Sequence, residues 1–208
     1  LELNSADIDA LNVFPVPDGD TGTNVDVPAA CPHVIGCGGT SKTNSSEVVW
    51  GDGVAKDPGT GGGFSMLFPI QSFQTGAPTP PTGLGRMVPD LSADADPNTG
   101  LEIVVGGVSV IVGGTSAVAP FYAGLFAASG KQLGFISPAL WANKTAFVDI
   151  TSGSNGAYSA ATGADACTGI GVPNGQKIAA LFGVSTSPPP PSDVTATFAN
   201  GVLTILGN

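Results

Sequence analysis

An α/β layer fold is what this sequence predicts, on three observations. Short runs of β-branched residues are bounded by glycine-rich turns, and small apolar residues at helical spacing follow some of them. Charged residues make up only 11% of the chain, while 31 of its 208 residues are Gly and 18 are Pro. Such a balance favours tight turns between short buried segments over long amphipathic helices, and strands mixed with buried helices pack as layers around one core. The length suits one domain of ordinary size.

Residues 1–14 read as a short helix followed by an apolar strand start, and residues 15–24 (PVPDGDTGTN) are loop chemistry throughout. Residues 33–37 form an apolar run closed by Gly38 and Gly39, and residues 47–50 form another, so two strands are expected around the polar turn 41–46. Residues 51–87 are mostly loop. Residues 101–105 and 108–112 are β-branched runs about Gly106 and Gly107, which predicts a hairpin. After Gly113 and Gly114, small residues run from 117 to 129 with Phe121, Leu125 and Ala128 at helical spacing, and Gly130 stops the pattern. That predicts a strand, a glycine turn and a buried helix. Further helices are expected at 137–142 and 175–182. Residues 187–192 (SPPPPS) are a stiff polyproline spacer, and the runs 194–198 and 202–206 flank a turn at 199–201, a hairpin tail. Isolated hairpins are marginal in water, so residues 193–208 read as the opening of a β-rich domain.

A formal charge of -10, with six Lys and Arg in all, argues against binding nucleic acid, because little is available to neutralise phosphates. No apolar run reaches the roughly 18 residues that span a bilayer, so no membrane association is expected. The start shows no basic segment followed by an apolar one, the pattern of a secretory signal. Cys31 and Cys37 lie six residues apart in a stretch that reads as a strand, about 20 Å if extended, which is too far for a bond. Either remains able to pair with Cys167, with one of the three left free, or all three are buried thiols.

A serine on a glycine turn at the start of a buried helix has an exposed hydroxyl and free backbone N–H groups beside it, and the helix dipole favours negative charge there. Those are the needs of an acyl-transfer nucleophile, and Ser116 meets them. Its motif, Gly113-Gly-Thr-Ser-Ala-Val-Ala-Pro120, resembles the nucleophile motif of the sedolisin family of serine-carboxyl peptidases, with Gly113 where Ser is commoner. Cys31-Pro-His-Val-Ile-Gly-Cys-Gly-Gly-Thr40 and Val88-Pro-Asp-Leu-Ser-Ala-Asp-Ala-Asp-Pro-Asn-Thr-Gly100 resemble two further blocks of that family. A fourth consists of Phe147-Val-Asp-Ile-Thr-Ser-Gly-Ser-Asn155 with Gly163-Ala-Asp-Ala-Cys-Thr-Gly-Ile-Gly171. Together they cover about residues 26–183 in family order.

The resemblance implies a subtilisin-like fold, a three-layer domain on a parallel sheet, represented by the C-terminal part of its catalytic domain and so incomplete at its N-terminus. It implies a secreted, acid-acting serine-type endopeptidase working through an acyl-enzyme on Ser116, with peptides or proteins as substrates. Asp20, in the Gly19-Asp-Thr-Gly22 turn, takes the place of the family's oxyanion-hole Asp, and such a group stabilises negative charge only when protonated. A calcium ion would be held by Asp149 and Asp165 with main-chain oxygens of Ile150, Ala161 and Gly163, a hard-oxygen set. Gly61, Gly62 and Gly63 resemble a substrate-cleft strand, where glycines admit a peptide backbone. His33, the sole histidine, stands where the family has an aromatic residue and reads as structural, as do Asp90 and Asp96.

One part of the pattern is missing. The family's general-base Glu and its partner Asp, four residues apart on a helix, have no counterpart, since Glu2, Asp7 and Asp9 lack that spacing. They would have to come from the remaining N-terminal part of the same catalytic domain, and without them hydrolysis would be very poor. The alternative is a catalytically incomplete, calcium-binding peptidase remnant. Residues 9–24 separately resemble the opening of Dak2-type kinase domains, in which paired acids such as Asp18 and Asp20 would bind magnesium and nucleotide phosphates, a less favoured third reading. The boundaries expected are an atypical segment at 1–24, a partial peptidase domain at 25–184, a linker at 185–192 and the β-rich opening at 193–208. An incomplete parallel sheet also predicts unpaired edges and a tendency to aggregate.

Overall fold

The structure, a computed structural model, describes residues 29–51, 59–183, 195–199 and 202–206. The readings made for residues 1–24, including Asp18, Asp20 and the kinase-like motif, and for the polyproline spacer lie outside the described residues.

Strand β1 (Cys37–Lys42) is followed by β2 (Glu47–Val49), then by the two-residue strands β3 (Gly63–Phe64) and β4 (Met87–Val88), and by β5 (Leu91–Asp94). β1 is the middle strand of a three-stranded sheet, antiparallel to β2 and parallel to β5 with Cys37 opposite Leu91 and Thr40 opposite Asp94. The expectation of a strand at 33–37 closed by two glycines is corrected here. The strand starts at Cys37 and runs through both glycines, because nothing larger fits beside β5. A Cβ on Gly38 would lie 2.5 Å from Ser92 Oγ and 2.6 Å from Pro89, and one on Gly39 2.7 Å from Ala95. Gly39 faces Thr115, whereas Gly38 faces the carbonyl of Cys167, so alternate residues of β1 meet opposite layers.

Strands β6 (Leu101–Val105) and β7 (Val108–Val112) form the expected hairpin, with Gly106 and Gly107 both at positive φ (60° and 82°), the requirement of a two-residue turn that matches strand twist. Almost all of its side chains are exposed, including Val104 and Val105. Helix α1 (Thr115–Ala127) follows at once and lies against β1 and β5. Its buried residues are Thr115, Val118 and Tyr122, whereas Phe121 is 38% exposed. The buried stripe therefore sits one position away from the expected Phe121-Leu125-Ala128 stripe, because the sheet covers one side of the helix only. Gly130, at φ 64°, stops it as expected.

Helix α2 (Ser137–Ala142) and helix α3 (Gly175–Leu181) fall where their patterns place them, the latter capped by Asn174, whose side chain accepts from the Lys177 N–H at 3.1 Å. The short pair β8 (Phe147–Val148) and β9 (Val172–Pro173) and the tail hairpin β10 (Thr195–Ala199) with β11 (Val202–Leu206) complete the order. The α/β class thus stands. The described parallel sheet is one strand pair within a mixed sheet, with α1 on one face and the loop around Cys167 on the other.

The core joins Met87, Leu91, Val118, Tyr122, Leu140, Trp141 and Ile178. At its centre stands Asp90, 1% exposed. Its Oδ2 accepts from the Gly36 N–H at 2.8 Å and from the Arg86 guanidinium at 2.5 Å, and its Oδ1 accepts from the Trp141 indole at 2.9 Å. Arg86, itself fully buried, also donates to the carbonyls of Cys31 and Val34. Burial holds the Asp90 carboxyl above the ordinary carboxylate range, against the downward pull of Arg86, the Gly36 N–H and Trp141.

All three cysteines are free thiols, Cys31 and Cys37 half-buried and Cys167 buried. Residues 31–36 are turn and irregular chain, not strand, so the expected extended spacing does not apply to them. Burial pushes the Cys37 thiol up to about 12 and that of Cys167 up to about 11.

Removing one partner of a buried, hydrogen-bonded ion pair leaves the other charge stranded, a cost of about 3–5 kcal/mol. Asp90→Ala is therefore expected to lower the urea unfolding midpoint by that equivalent. Tyr122→Phe loses a single buried bond, from the phenol to the Ser92 carbonyl at 2.8 Å, and should cost about 1 kcal/mol.

Candidate active site

The turn between β7 and α1 sets the position of Ser116. Gly114 is at φ 91°, a conformation that a side chain resists, and it serves as the helix cap with no side-chain bond. Its N–H donates to the Ala95 carbonyl at 2.5 Å, and its own carbonyl accepts from the Ala117 N–H at 2.9 Å. The turn is thereby tied to the end of β5, at the carboxyl end of the parallel pair, where open α/β sheets bind ligands. Thr115 is buried on the sheet and Ser116 beside it is exposed. Pro120 lies one turn further into the helix and has no N–H, so the Ser116 carbonyl loses its intrahelical donor. The first N–H groups of a helix have no intrahelical acceptor either, which leaves donors and the positive end of the dipole beside the Ser116 hydroxyl. Among the described residues, no carboxylate or imidazole forms a hydrogen bond with that hydroxyl.

Gly113, where the resemblance leads one to expect Ser, has a direct steric cause. A Cβ there would stand 2.5 Å from both the Ala95 carbonyl oxygen and the Pro97 nitrogen. The backbone after β5 comes so close that only glycine fits.

The acids near this end of the sheet are engaged in structure. Asp96 accepts from Ser41 Oγ at 2.7 Å and from the Asn98 N–H at 2.8 Å, closing the turn after β5. Asp94 accepts from Thr99 Oγ1 at 2.9 Å, and Glu47 accepts from Thr40 Oγ1 at 2.8 Å. Burial raises the Asp94 carboxyl, and the neighbouring Glu47 and Asp96 charges add to it. The reading of the sequence singled out Asp96 but missed Glu47 and Asp94, because the contact between β1 and β5 that gathers them spans about fifty residues of chain.

Gly62 and Gly63 are packed against the protein itself. A Cβ on Gly62 would lie 2.0 Å from the Ala166 carbonyl oxygen, and one on Gly63, at φ 145°, would lie 3.1 Å from the Tyr158 ring. Gly61 faces open space. Thr60 Oγ1 accepts from the Gly39 N–H at 2.8 Å, so this segment runs beside β1. His33 is exposed and stacks edge-on to Phe135 with ring centroids 5.7 Å apart, an aromatic's role.

The five residues expected to hold calcium meet in one loop cluster. The Gly163 N–H donates to Asp149 Oδ2 at 2.8 Å and the Ala161 N–H to Asp165 Oδ2 at 3.1 Å, so one turn bridges the two acids. Asp165, 3% exposed, also accepts at Oδ1 from the Cys167 and Thr168 N–H groups at 2.9 and 2.8 Å. Among the described residues the carbonyls of Ile150, Ala161 and Gly163 accept no hydrogen bond, and neither acid forms an ion pair. Oxygen acceptors with two uncompensated carboxylates fit a hard divalent cation. No group of three or more His, Cys, Asp or Glu gathers among the described residues.

The arrangement is that of an α/β domain with a serine exposed at the amino end of a helix, and comparison with known proteins makes the assignment specific. The chain is 44% identical over 177 residues to kumamolisin of a Bacillus species and 35% identical over 176 residues to sedolisin of a Pseudomonas species, in each case across 74% of the chain. A solved structure of Pseudomonas sedolisin, a serine-carboxyl proteinase complexed with pseudo-iodotyrostatin, superposes with a TM-score of 0.61 at 34% identity, covering 76% of this chain and 47% of that one. No protein-family model matches. Over the matched part, the chain belongs to the sedolisin family. It spans about a third of the length of these relatives, 32% of kumamolisin and 30% of sedolisin.

Placing a side chain where the backbone of Ala95 and Pro97 already stands forces a shift of the turn, an overpacking cost of about 1–3 kcal/mol. Gly113→Ser, although it makes the motif more typical of the family, is expected to lower the thermal midpoint, as calorimetry would read.

Proposed function

We propose that this chain carries the serine-bearing part of an acid-acting endopeptidase catalytic domain. One observation carries the reading: Ser116 is exposed on a glycine-set turn, at the amino end of a helix fixed to the carboxyl end of a parallel strand pair. The family membership supports it.

In this reading, Ser116 Oγ attacks the carbonyl carbon of the scissile peptide and its proton passes to a carboxylate base. The electron pair of the carbonyl moves onto oxygen, beside the first N–H groups of α1, and returns as the amine leaves with a proton, leaving the acyl group on Ser116. Water then releases the acyl group by the same steps. Asp20, protonated, would donate to the oxyanion, which confines activity to acid pH unless its pKa is raised. Gly61, which faces open space, would run beside the substrate backbone. The base Glu and its partner Asp would come from the part of the domain beyond the matched segment.

Calcium would be held by Asp149, Asp165 and the carbonyls of Ile150, Ala161 and Gly163, and would cross-link the two acidic loops. Its role is in stability, since the cluster is bound to the Cys167 loop and not to the α1 turn. Secretion and a peptide or protein substrate complete the reading. Among the described residues no helix is long and apolar enough to cross a membrane.

One observation favours a second reading, a calcium-binding remnant without activity: the Ser116 hydroxyl meets no acid among the described residues. Pseudo-iodotyrostatin, found bound to Pseudomonas sedolisin, separates the two. Binding at acid pH that is lost in Ser116→Ala supports the peptidase reading, and absence of binding to the unaltered chain supports the remnant.

Calcium is tested apart from activity. At about a hundredfold excess over its dissociation constant it should add about 2.7 kcal/mol, a rise of about 5–10 °C in thermal midpoint for a domain of this size. Chelator should reverse the rise, and Asp149→Ala, at an exposed position, should remove it; an unchanged midpoint would dismiss the site.

A further inference from the structure

The chain along β2 divides its side chains between the two layers that flank the sheet. Val49, fully buried, packs with Ile150, Cys167 and Val172. By the two-residue period of a strand the next residue, Trp50, faces the other way, and it packs against the core on the α1 side. Its N–H donates to the Gly39 carbonyl at 3.1 Å, which sets it across from Gly39 of β1.

The missing side chain of Gly39 lets the indole reach the start of α1. The point where a Gly39 Cβ would stand is 3.0 Å from the Trp50 ring at Cε3, 3.3 Å from Thr115 Cγ2 and 2.7 Å from the Ala95 Cβ. Trp50 therefore lies beside the first residue of α1 and beside the residue whose carbonyl holds the Gly114 turn. Thr115 is buried there, and Ser116, next in the chain, is exposed. Trp50 itself is only half-buried, whereas Trp141 is enclosed by the core at 1% exposure. An aromatic ring has few torsions to lose, so a ring already fixed by packing and left partly open offers contact area to a ligand at low entropic cost.

Charge decides which side chain suits that surface. Among the described residues, the charged groups gathered at this end of the sheet are the acids Glu47, Asp94 and Asp96, each already accepting a hydrogen bond, and Lys42 is paired with Glu47. No free cation is present there to recognise an acidic residue. We propose that Trp50 is the wall of a substrate subsite beside Ser116, and that it takes an aromatic or large aliphatic side chain of the bound peptide. The inference deepens the peptidase reading and rests on it. Trp50 is in this sense a specificity-determining residue, which touches a substrate side chain and takes no part in the chemistry.

The test uses the full 208-residue chain and a set of hexapeptide amides, either all alanine or with a single Phe moved along the peptide. Trp50 and Trp141 are the two tryptophans, and Trp141 is closed to water, so quenching of fluorescence by acrylamide reads Trp50. With Phe at one position the peptide should bind about tenfold tighter at acid pH than the all-alanine peptide, about 1.4 kcal/mol, and should shield Trp50 from acrylamide. That preference should vanish in Trp50→Ala and persist in Trp50→Phe. Pseudo-iodotyrostatin, found bound to Pseudomonas sedolisin, should displace the peptide. The shielding is read in the unaltered chain and does not depend on how Trp50→Ala folds. No preference for Phe at any position, a preference unchanged in Trp50→Ala, or binding that leaves Trp50 open to acrylamide overturns the proposal. If pseudo-iodotyrostatin binds in a Ser116-dependent way while no Trp50-dependent preference is found, the subsite falls and the peptidase reading stands. If the Phe peptide is held at Trp50 by a chain that binds no pseudo-iodotyrostatin, the peptidase reading ends and the subsite with it, which leaves Trp50 a peptide contact of another kind.

Discussion

The carboxylate of Asp90 is the point from which the described fold is organised. It receives the indole of Trp141 from α2, the backbone of Gly36 from the turn before β1, and the guanidinium of Arg86 from the approach to β5. Arg86 in turn fixes the carbonyls of Cys31 and Val34, and its guanidinium carbon stands 6.0 Å from the centre of the Phe73 ring. Four segments distant in sequence are thus joined through one ion pair that water does not reach. Such a pair adds little net stability over an apolar replacement, but it tolerates few alternative arrangements, because any misplacement strands a buried charge. Strand β1 enters the sheet in register with β5 under that constraint.

Register then fixes the site. With Thr40 opposite Asp94, the chain leaving β5 brings the Ala95 carbonyl to the Gly114 N–H, and the serine two residues later is held at the carboxyl end of the parallel pair. Tyr122, one and a half turns along α1, repeats the attachment by donating to Ser92. The position of Ser116 is therefore set from both ends of a short stretch of helix.

Much of this was legible in the residues, and what was not has a common cause. The hairpin about Gly106 and Gly107, helices α2 and α3, and the glycine turn before Ser116 are local events, written in turn chemistry and spacing. The errors arose where a distant partner decides. Gly38 and Gly39 look like the end of a strand, and become its centre because Pro89, Ser92 and Ala95 come too close for any side chain. Phe121 shares its spacing with the helix's apolar residues, yet the sheet selects Thr115, Val118 and Tyr122. The acids Glu47 and Asp94 carry no motif of their own and are gathered by pairing. Ser116 and the acidic loop cluster were legible because a motif preserves the outcome of such long-range packing. Asp20 lies outside the described residues, and the base was not legible because no acid pair of the right spacing is present.

The scarcity of cationic side chains bears on how the molecule meets acid. Two side-chain ion pairs occur among the described residues, the exposed Lys42–Glu47 contact and the buried Arg86–Asp90 pair. Neutralising every carboxylate would leave a charge of about +7 from six Lys and Arg and one His, spread over a chain of this length. The mutual repulsion that expands most proteins at low pH is correspondingly weak here. Acidification therefore acts on this fold chiefly through its buried Arg86–Asp90 pair and not through net repulsion.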